Sequence, residues 1–413
     1  MGVSITYRVD RAGSSCGIPL QEREPDSGFW TDSTWLEHRI SPADRVSFTK
    51  ARSAGRHDAV AELDWVCATA AFAAFLDAGR PGVPLFVNMD PGTLGTSCPP
   101  DLSPVNERAL RELNVVLEIT ERVIDNPAAL LRSVVAARQA RSRVALDDVG
   151  VNPASISMMS VVCPDVIKLD RGITQSRTPS WARNYVINAV LSEAQLTGAA
   201  VLCEGIETPE HLETARAMGA TLGQGWLFGR PGPLPQVVDV SARLLPRVKP
   251  YPEAARTPFE AVRAEARVSR MTLPMLASMT GMLEDVALHT DAAHLLFATL
   301  PATAQLDDET RLTYTHIAQR GVIMAVFGSQ PLSFFGAGVQ AVPLSQDDPV
   351  AAERTVITVG SYFAAALIAS PVEPDCPGAV EPPLYYVVLT YDRKLVIEAL
   401  HTLFDPMPPM IAQ

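Results

Sequence analysis

Short apolar runs alternate with longer helical segments over the first part of the chain. The runs lack the polar alternation of a half-exposed strand, and they are typical of strands with both faces buried. They are PLFVNMD (84–90), NVVLEIT (114–120), RVALDDV (143–149), PDVIKLD (164–170), AAVLCEGI (199–206) and ATLGQGWLFG (220–229). Segments 126–140 and 208–220, which lie between these runs, have the apolar spacing of helices. This alternation predicts an α/β fold built on a parallel sheet.

A polar side chain lies at the carboxyl end of each run. These residues are 20 to 36 positions apart, about one strand–helix unit each, and they are Asn88, Glu118, Asp147, Lys168, Glu204 and Gln224. In an open doubly wound sheet, strand ends on opposite sides of the switch point would not all converge. In a (β/α)8 barrel, every strand delivers its carboxyl end to one face. The spacing therefore favours a TIM-type (β/α)8 barrel with one polar site.

The regular pattern stops at residues 246–259, where prolines interrupt it. Helical spacing returns near Leu276 and Leu283, and strand-like runs then appear at 294–300, 321–328, 354–360 and 384–391. We therefore predict three parts, which are a barrel at 1–245, a Pro-rich linker at 246–259 and a smaller α/β domain at 260–413.

The longest uncharged stretch, residues 355–372, is marginal in length for a membrane span. A strand that runs into a helix at 361–370 explains this stretch better than a span does. Four methionines at helical spacing are predicted to lie in the core of the second domain, and they are Met271, Met275, Met279 and Met282. We expect no contact with a membrane.

Composition narrows the class of protein. The chain has 413 residues, of which 47% are hydrophobic and 19% are charged, as in ordinary folded soluble proteins. The formal net charge of -12 argues against a protein that coats nucleic acid polymers, because such proteins need clustered lysine and arginine. The six cysteines are scattered without CxxC spacing, which is typical of reduced thiols. We expect a cytoplasmic protein.

Six acids lie at or just past the apolar runs, and they are Glu118, Glu121, Asp147, Asp148, Glu204 and Glu207. Carboxylates that converge with the Asn88 amide would be hard oxygen ligands suited to Mg²⁺, Mn²⁺ or Ca²⁺. The alternative for any single acid is a helix cap or a partner for an arginine. The regular spacing of all six favours a shared site.

Asp147 and Asp148 are adjacent, and neighbouring side chains on a strand point to opposite faces. We predict that Asp147 ends the strand and that Asp148 begins the loop, so that both can face one site. Lys168 is the one cation among these strand ends, where it can neutralise a phosphate or pair with Asp170 or another acid. The glycines of GQGW (223–226) allow a ligand to approach the backbone, although a tight turn is equally consistent with them.

The motifs NMD, LEITE, LDDVG, DVIKLD, EGIET and GQGWLFGRP follow one another between residues 5 and 235. In this order they resemble the EAL domain family, the cyclic-di-GMP phosphodiesterases of bacterial signalling. The resemblance implies a modified (β/α)8 barrel that hydrolyses one phosphodiester of cyclic-di-GMP to linear pGpG with two Mg²⁺ or Mn²⁺ ions. It is also compatible with a homodimer formed through the barrel.

The resemblance implies a role for each matching residue. Four residues match metal ligands, with Asp147 shared by both metals, and they are Asn88, Glu118, Asp147 and Asp148. Catalytic roles fall to Asp147, to Lys168, which matches the lysine that orients the nucleophilic water, and to Glu204 near the reacting centre. The matches to substrate-binding residues are Arg23, Glu207, Gln224 and Gly225. The matches that support the loop after the aspartates are Thr120 and Glu121.

The first strand departs from the family pattern. The Glu-Ala-Leu motif is not found. Aligning residues 7–23 with the family's first strand puts Pro19, Leu20 and Gln21 on it, whereas counting back from Asn88 by the family's spacing leads to a position near Trp30. Neither alignment supplies the carboxylate. The aspartate loop reads DDVGVNP where the family has DDFGTG. Loss of one metal ligand would impair hydrolysis more than nucleotide binding. Two functions therefore stay open, a phosphodiesterase with a weakened first metal site and a non-hydrolysing cyclic-di-GMP receptor or protein-interaction module.

The C-terminal part, residues 260–413, resembles the DICT domain, a sensory module found beside bacterial cyclic-di-GMP and two-component domains. The stretches that carry this resemblance are 269–285, 314–328 and 383–396. It implies that this domain recognises a signal or a protein partner, whose identity the sequence does not give.

Overall fold

The computed structural model describes two compact units. The first comprises residues 1–152 and 162–251, and the second comprises residues 153–161 and 252–413. Within these units the described residues are 3–4, 7–8, 57–79, 83–94, 96–120, 127–151, 154–176, 178, 180–230, 245, 255–289, 294–301, 308–329, 338–372 and 384–404.

An eight-stranded sheet forms the centre of the first unit. Its six inner strands run parallel to their neighbours, and they are β3 (Pro84–Asn88), β4 (Asn114–Thr120), β5 (Arg143–Val149), β6 (Val166–Leu169), β7 (Ala200–Cys203) and β8 (Leu222–Gly223). Two short strands, β1 (Val3–Ser4) and β2 (Tyr7–Arg8), pair antiparallel with β3 and β8 at the two ends of the sheet.

The connection between β1 and β2 shows that this sheet is curled. The two strands are at opposite ends of an eight-stranded sheet, yet Ser4 and Tyr7 are only three residues apart in the chain. Three extended residues reach about 11 Å at most. The two ends of the sheet must therefore come close together, as in a barrel. The predicted α/β fold of the modified TIM-barrel type is confirmed.

Helices connect the parallel strands. They are α1 (His57–Asp77), α2 (Pro91–Leu94), α3 (Ser103–Glu112), α4 (Pro127–Gln139), α5 (Ala154–Val162), α6 (Arg171–Gln175), α7 (Trp181–Thr197) and α8 (Pro209–Ala217). Local sequence sets several of their ends. The Thr208 side chain accepts a hydrogen bond from the backbone N–H of His211 and caps α8, and Gly198, with a φ of 73°, ends α7. Residues 153–161, which include most of α5, belong to the second unit.

A mixed seven-stranded sheet forms the second unit, in the order β12-β11-β10-β13-β14-β15-β9. The strands are β9 (Val268–Thr272), β10 (His294–Leu300), β11 (Ile323–Gly328), β12 (Val339–Pro343), β13 (Arg354–Gly360), β14 (Ala364–Pro371) and β15 (Leu384–Thr390). β10, β11 and β12 pair in parallel, and the other pairings are antiparallel. The helices are α9 (Pro258–Val262), α10 (Leu273–Leu288), α11 (Asp308–Gln319) and α12 (Arg393–Thr402).

Two expectations for the second unit were wrong. Residues 361–370 do not form a helix, because β14 occupies Ala364–Pro371 and pairs with β13 and β15. The backbone N–H of Gly360 donates to the Phe363 carbonyl and closes the turn between β13 and β14. Met275 and Met282 are exposed on α10 and lie outside the core.

Among the helices of the described residues, none is both long enough and apolar enough to cross a bilayer.

Candidate functional site

The polar site lies directly above an apolar layer of the curled sheet. This layer contains at least one residue from each of the six parallel strands, and its members are Phe86, Val116, Ala145, Val166, Ala200, Leu202 and Leu222. Side chains two positions apart on a strand share a face. One residue of the layer on each strand is followed, two positions later, by a predicted polar residue. These polar residues are Asn88, Glu118, Asp147, Lys168, Glu204 and Gln224. The predicted polar residues therefore follow the apolar layer on the same side of the sheet, at its carboxyl edge.

Lys168 is the centre of this site and is only 2% exposed. Its Nζ lies 2.7 Å from Glu118 Oε1, 2.7 Å from Asp147 Oδ1 and 2.8 Å from Glu204 Oε1. In the described part of the chain, Lys168 is the only cation that forms an ion pair with these three carboxylates. The structure thus brings four of the predicted residues, from β4, β5, β6 and the end of β7, into direct contact.

The backbone at Asp148 allows two adjacent carboxylates to serve one site. The strand does not end at Asp147 as predicted, since β5 continues to Val149. Instead Asp148 has a left-handed φ of 55°, and the pairing of β5 with β6 shifts register between Leu146 and Val149. Such a bulge reorients a side chain that regular pleating would point to the opposite face. Carboxylate oxygens of Asp147, Asp148 and Glu204 consequently lie within 4.8 Å of one another.

Burial and charge act in opposite directions on this cluster. Burial, together with a smaller contribution from the Asp147 carboxylate, raises the pKa of Glu118 to about 8, although the nearby Lys168 ammonium opposes the change. Burial likewise raises the pKa of Glu204, although Lys168 opposes the change. Burial alone would lower the Lys168 pKa, but Asp147, Glu118 and Glu204 together raise it well above its usual value. Lys168 therefore stays charged, and the three carboxylates compete for its single positive charge.

The cluster has the properties of a site for divalent cations. Three carboxylates share one ammonium group, so together they carry a negative excess when they are ionised. Among the described residues, the fully buried Glu118 Oε2 has no hydrogen-bond partner, which is costly unless a cation or proton satisfies it. Asp147, Asp148 and Glu204 supply further oxygens close together. Hard oxygen donors in this number fit Mg²⁺ or Mn²⁺.

Two loops of the site are tied together by backbone hydrogen bonds. Ile206 N–H donates to the Gln224 carbonyl and Gln224 N–H donates to the Cys203 carbonyl, both at 2.9 Å. A Cβ at Gly225 would lie 2.2 Å from the Ile206 carbonyl oxygen, so only glycine permits this approach. GQGW thus has both features that the sequence left open, a tight turn and a close backbone approach.

The remaining predicted residues lie around this cluster. Asn88 is the register partner of Glu118 at the end of β3, and Thr120 is the register partner of Asp147. Glu207 is exposed on the loop after β7, and its backbone N–H donates to His211 Nδ1 at 3.4 Å. Arg23 and Glu121, like the stretch aligned with the Glu-Ala-Leu motif, lie outside the described residues.

Two supporting residues were missed by the sequence analysis. Gln175 Nε2 donates to the Gly205 carbonyl at 2.9 Å and holds the loop that follows Glu204. Asp64 on α1 is fully buried, and its Oδ2 accepts hydrogen bonds from Asp90 N–H at 2.9 Å and Thr93 Oγ1 at 2.8 Å, just beyond Asn88. Both act across long sequence separations, so no local motif could have indicated them.

Comparison with known families and proteins agrees with this architecture. Residues 39–231 match the family described as the EAL domain. The chain is 31% identical over 164 residues to the cyclic di-GMP phosphodiesterase RocR of Pseudomonas aeruginosa, which covers 39% of this chain and 42% of RocR. It is 29% identical over 122 residues to PdeD of Escherichia coli, described as a probable cyclic di-GMP phosphodiesterase, covering 29% of this chain and 22% of PdeD. The chain thus spans less than half of the length of these relatives.

Solved structures with partial similarity include two complexes. One is the manganese/cyclic-di-GMP complex of Klebsiella pneumoniae BlrP1, with a TM-score of 0.40 and 22% identity over 56% of this chain and 55% of that chain. The other is the EAL domain of Xanthomonas citri FimX in complex with cyclic-di-GMP, with a TM-score of 0.39 and 20% identity over 46% of this chain and 76% of that chain.

Proposed function

We propose, from the match of residues 39–231 to the EAL domain family, that the chain acts in cyclic-di-GMP signalling as a metal-dependent phosphodiesterase that forms linear pGpG. The observation that carries the proposal is the buried Lys168 Nζ held between Glu118, Asp147 and Glu204. This cluster lies at the carboxyl edge of the sheet, where such barrels place their active sites.

The metals would be held by Asn88, Glu118, Asp147 and Asp148, and we propose Mg²⁺ or Mn²⁺ because all four residues offer hard oxygen donors. Bound there, two divalent cations would lower the pKa of a water molecule and neutralise charge on the in-line phosphoryl transition state. The orphaned Glu118 Oε2 and the closely spaced oxygens of Asp147 and Asp148 support this assignment.

The protein's own residues orient the reactants. Lys168 keeps its proton in the field of three carboxylates and can donate a hydrogen bond that fixes the attacking water. Glu204 lies 2.8 Å from Lys168 Nζ and can accept a proton from that water at its carboxylate. We propose that Arg23, Glu207, Gln224 and Gly225 contact the nucleotide, as the residues that match them do in the family.

A second candidate function is a receptor that binds cyclic-di-GMP without cutting it. The observation that favours it is the first strand, where Pro19, Leu20 and Gln21 align with the Glu-Ala-Leu motif and supply no carboxylate. One metal would then lack a charged ligand. Nucleotide binding would survive, because arginine, backbone and base contacts do not depend on that ligand.

The rest of the chain would regulate this domain. We propose that residues 260–413 form a DICT-like sensory domain that recognises a signal or a protein partner, and that the barrel can form a homodimer. The mixed sheet of the second unit is compatible with a DICT-like domain. The thiols of Cys67, Cys98 and Cys203 are not in disulfides, which supports a cytoplasmic location.

The direct test is product formation. The purified chain is incubated with cyclic-di-GMP and Mg²⁺ or Mn²⁺, and linear pGpG is separated by chromatography. We expect turnover by the wild type, loss of turnover in Asp147→Asn, and unchanged turnover in Asp101→Asn, an exposed acid of the same unit. Absence of turnover with tight nucleotide binding in Ca²⁺ would establish the receptor instead. Absence of both turnover and binding would overturn both functions.

A further inference from the structure

Helix α5 connects the two strands that carry the centre of the site. It begins at Ala154, six residues after Asp148, and ends at Val162, six residues before Lys168. Residues 153–161 nevertheless belong to the second unit, together with residues 252–413. The chain therefore leaves the barrel unit four residues after Asp148 and returns to it four residues before β6. Helix α5 is thus joined by short connections to the strands that carry Asp148 and Lys168.

Helix α5 is buried on every side. Residues 155–162 form an unbroken buried run, and three serines lie within it, Ser155, Ser157 and Ser160. A helix that is buried all round is held by neighbours on all its faces. A buried hydroxyl such as that of Ser160 needs a protein partner, because water does not reach it.

The polar partners at the end of α5 come from α12. Arg393 Nη2 donates a hydrogen bond to Ser160 Oγ, and Arg393 Nη1 donates to the Gly360 carbonyl at 2.9 Å. His401 Nε2 lies 2.9 Å from the Val161 carbonyl, one of the last carbonyls of α5, which have no partner within the helix. Burial lowers the His401 pKa, although this carbonyl opposes the change, so the imidazole donates as the neutral form with its proton on Nε2.

Arg393 is itself fixed to the mixed sheet. The Gly360 carbonyl that it contacts lies at the end of β13, and Gly360 pairs with His294 of β10. A Cβ at Gly360 would lie 2.2 Å from His294 Nδ1, so this position admits only glycine. The guanidinium thus joins the rigid end of two strands to Ser160 of α5.

We propose that Arg393 and His401 are positioning residues for the metal-binding aspartates. Through Ser160 and Val161 they fix α5, and α5 in turn fixes the segment that holds Asp148 in its left-handed conformation. The domain at 260–413 would then regulate the site by holding or releasing this helix. The inference rests on the proposed function, because it assigns metal binding to Asp147 and Asp148.

The test measures Mn²⁺ binding without nucleotide, by electron paramagnetic resonance of the free ion. We expect Arg393→Ala and His401→Ala each to weaken Mn²⁺ affinity about tenfold, as outer residues that orient metal ligands do. Arg393→Lys and His401→Gln keep a donor and should restore most of the affinity. The matched control is Lys394→Ala on the same helix, whose exposed ammonium pairs with Glu265 and should not affect the metal.

Amide hydrogen exchange of the same variants measures the local stability of α5. Arg393→Ala should speed exchange of the amides of residues 148–162 and leave those of β7 unchanged. Folded Arg393→Ala and His401→Ala variants with wild-type Mn²⁺ affinity would overturn the positioning role alone. A wild-type chain that binds no Mn²⁺ would overturn the proposed function as well, so the two failures are distinguishable.

Discussion

Two buried groups of charges lie at opposite ends of β5 and β6. At the amino end, Arg138 Nη1 lies 3.1 Å from Asp165 Oδ2, which also accepts Val144 N–H at 2.9 Å, and Arg138 Nη2 donates to the Cys163 carbonyl at 2.8 Å. At the carboxyl end, Lys168 serves three carboxylates. Asp165 lies only three positions before Lys168 in the chain.

The difference between these groups lies in their charge balance. Arg138 and Asp165 form a one-to-one ion pair whose charges neutralise each other, although Asp165 Oδ1, like Glu118 Oε2, has no hydrogen-bond partner among the described residues. The Lys168 cluster differs because three carboxylates share one ammonium group. A buried charge by itself therefore does not indicate a ligand-binding site. An unbalanced set of buried charges does indicate such a site, because folding alone does not explain why these charges are removed from water.

Removal of Lys168 should have the largest effect. Lys168→Met keeps the length of the side chain but removes the ammonium that we propose orients the water, so kcat for pGpG formation should fall by about 10³–10⁴-fold. The fold should survive, because the carboxyls can take up protons in place of the ammonium. Circular dichroism checks the fold, and product assays check the rate. A variant that retains a tenth of wild-type kcat would remove Lys168 from the mechanism.

Removal of Arg138 should affect stability and not chemistry. Arg138→Met leaves Asp165 buried and unpaired, which should lower the free energy of unfolding by about 3–5 kcal/mol in urea titrations. The kcat of the remaining folded protein should stay near that of the wild type. Arg108→Met is the matched control, since its pair with Glu112 is exposed and should contribute little to the free energy of unfolding. Equal losses in both variants would contradict the assignment of a structural role to the buried pair.

Glu353 in the second unit is a third kind of buried carboxyl, because its hydrogen-bond donors are neutral groups and not a cation. Burial raises its pKa from 4.5 to about 7, although Thr257 and the Phe259 N–H at 3.0 Å oppose the change. The folded chain therefore binds more protons than the unfolded chain between these values, and stability falls as the pH rises from 4.5 to 7. Glu353→Gln should remove about 3 kcal/mol of this pH dependence.

Urea titrations at several pH values measure this effect. His294 acts in the opposite direction, because burial lowers its pKa from 6.5 to about 4, with a smaller contribution from Arg393, and its contribution to stability is lost as the pH falls through that range. His294→Gln is therefore the control, and it should leave the Glu353 effect intact. Identical pH profiles for the wild type and Glu353→Gln would show that this carboxyl does not titrate in the folded chain as described.

The sequence predicted the parallel strands well, and it predicted that polar residues lie at their carboxyl ends. Apolar runs buried on both faces have a clear signal, and a polar residue two positions beyond the apolar layer can be read directly from the chain. The helix predicted at 361–370 was wrong because an Ala-rich apolar run fits a buried helix as well as a buried strand. Only its pairing with β13 and β15 determines the outcome.

Features that depend on distant parts of the chain were not predicted. The left-handed conformation of Asp148 accompanies a register shift between β5 and β6, and the support from Asp64 and Gln175 depends on tertiary contacts. Helix α5 contacts Arg393 and His401, which are more than 230 positions away. Local pattern carries no information about such contacts.

The central claim is that the unbalanced cluster holds divalent cations and the balanced pair does not. The most direct measurement is an anomalous difference map, at the manganese edge, from crystals of the full chain soaked in MnCl₂. The account predicts a peak beside the carboxylates of Asp147 and Asp148, at the Lys168 cluster, and none at Asp165. A map without a peak at the Lys168 cluster, from crystals that show manganese elsewhere, would contradict it.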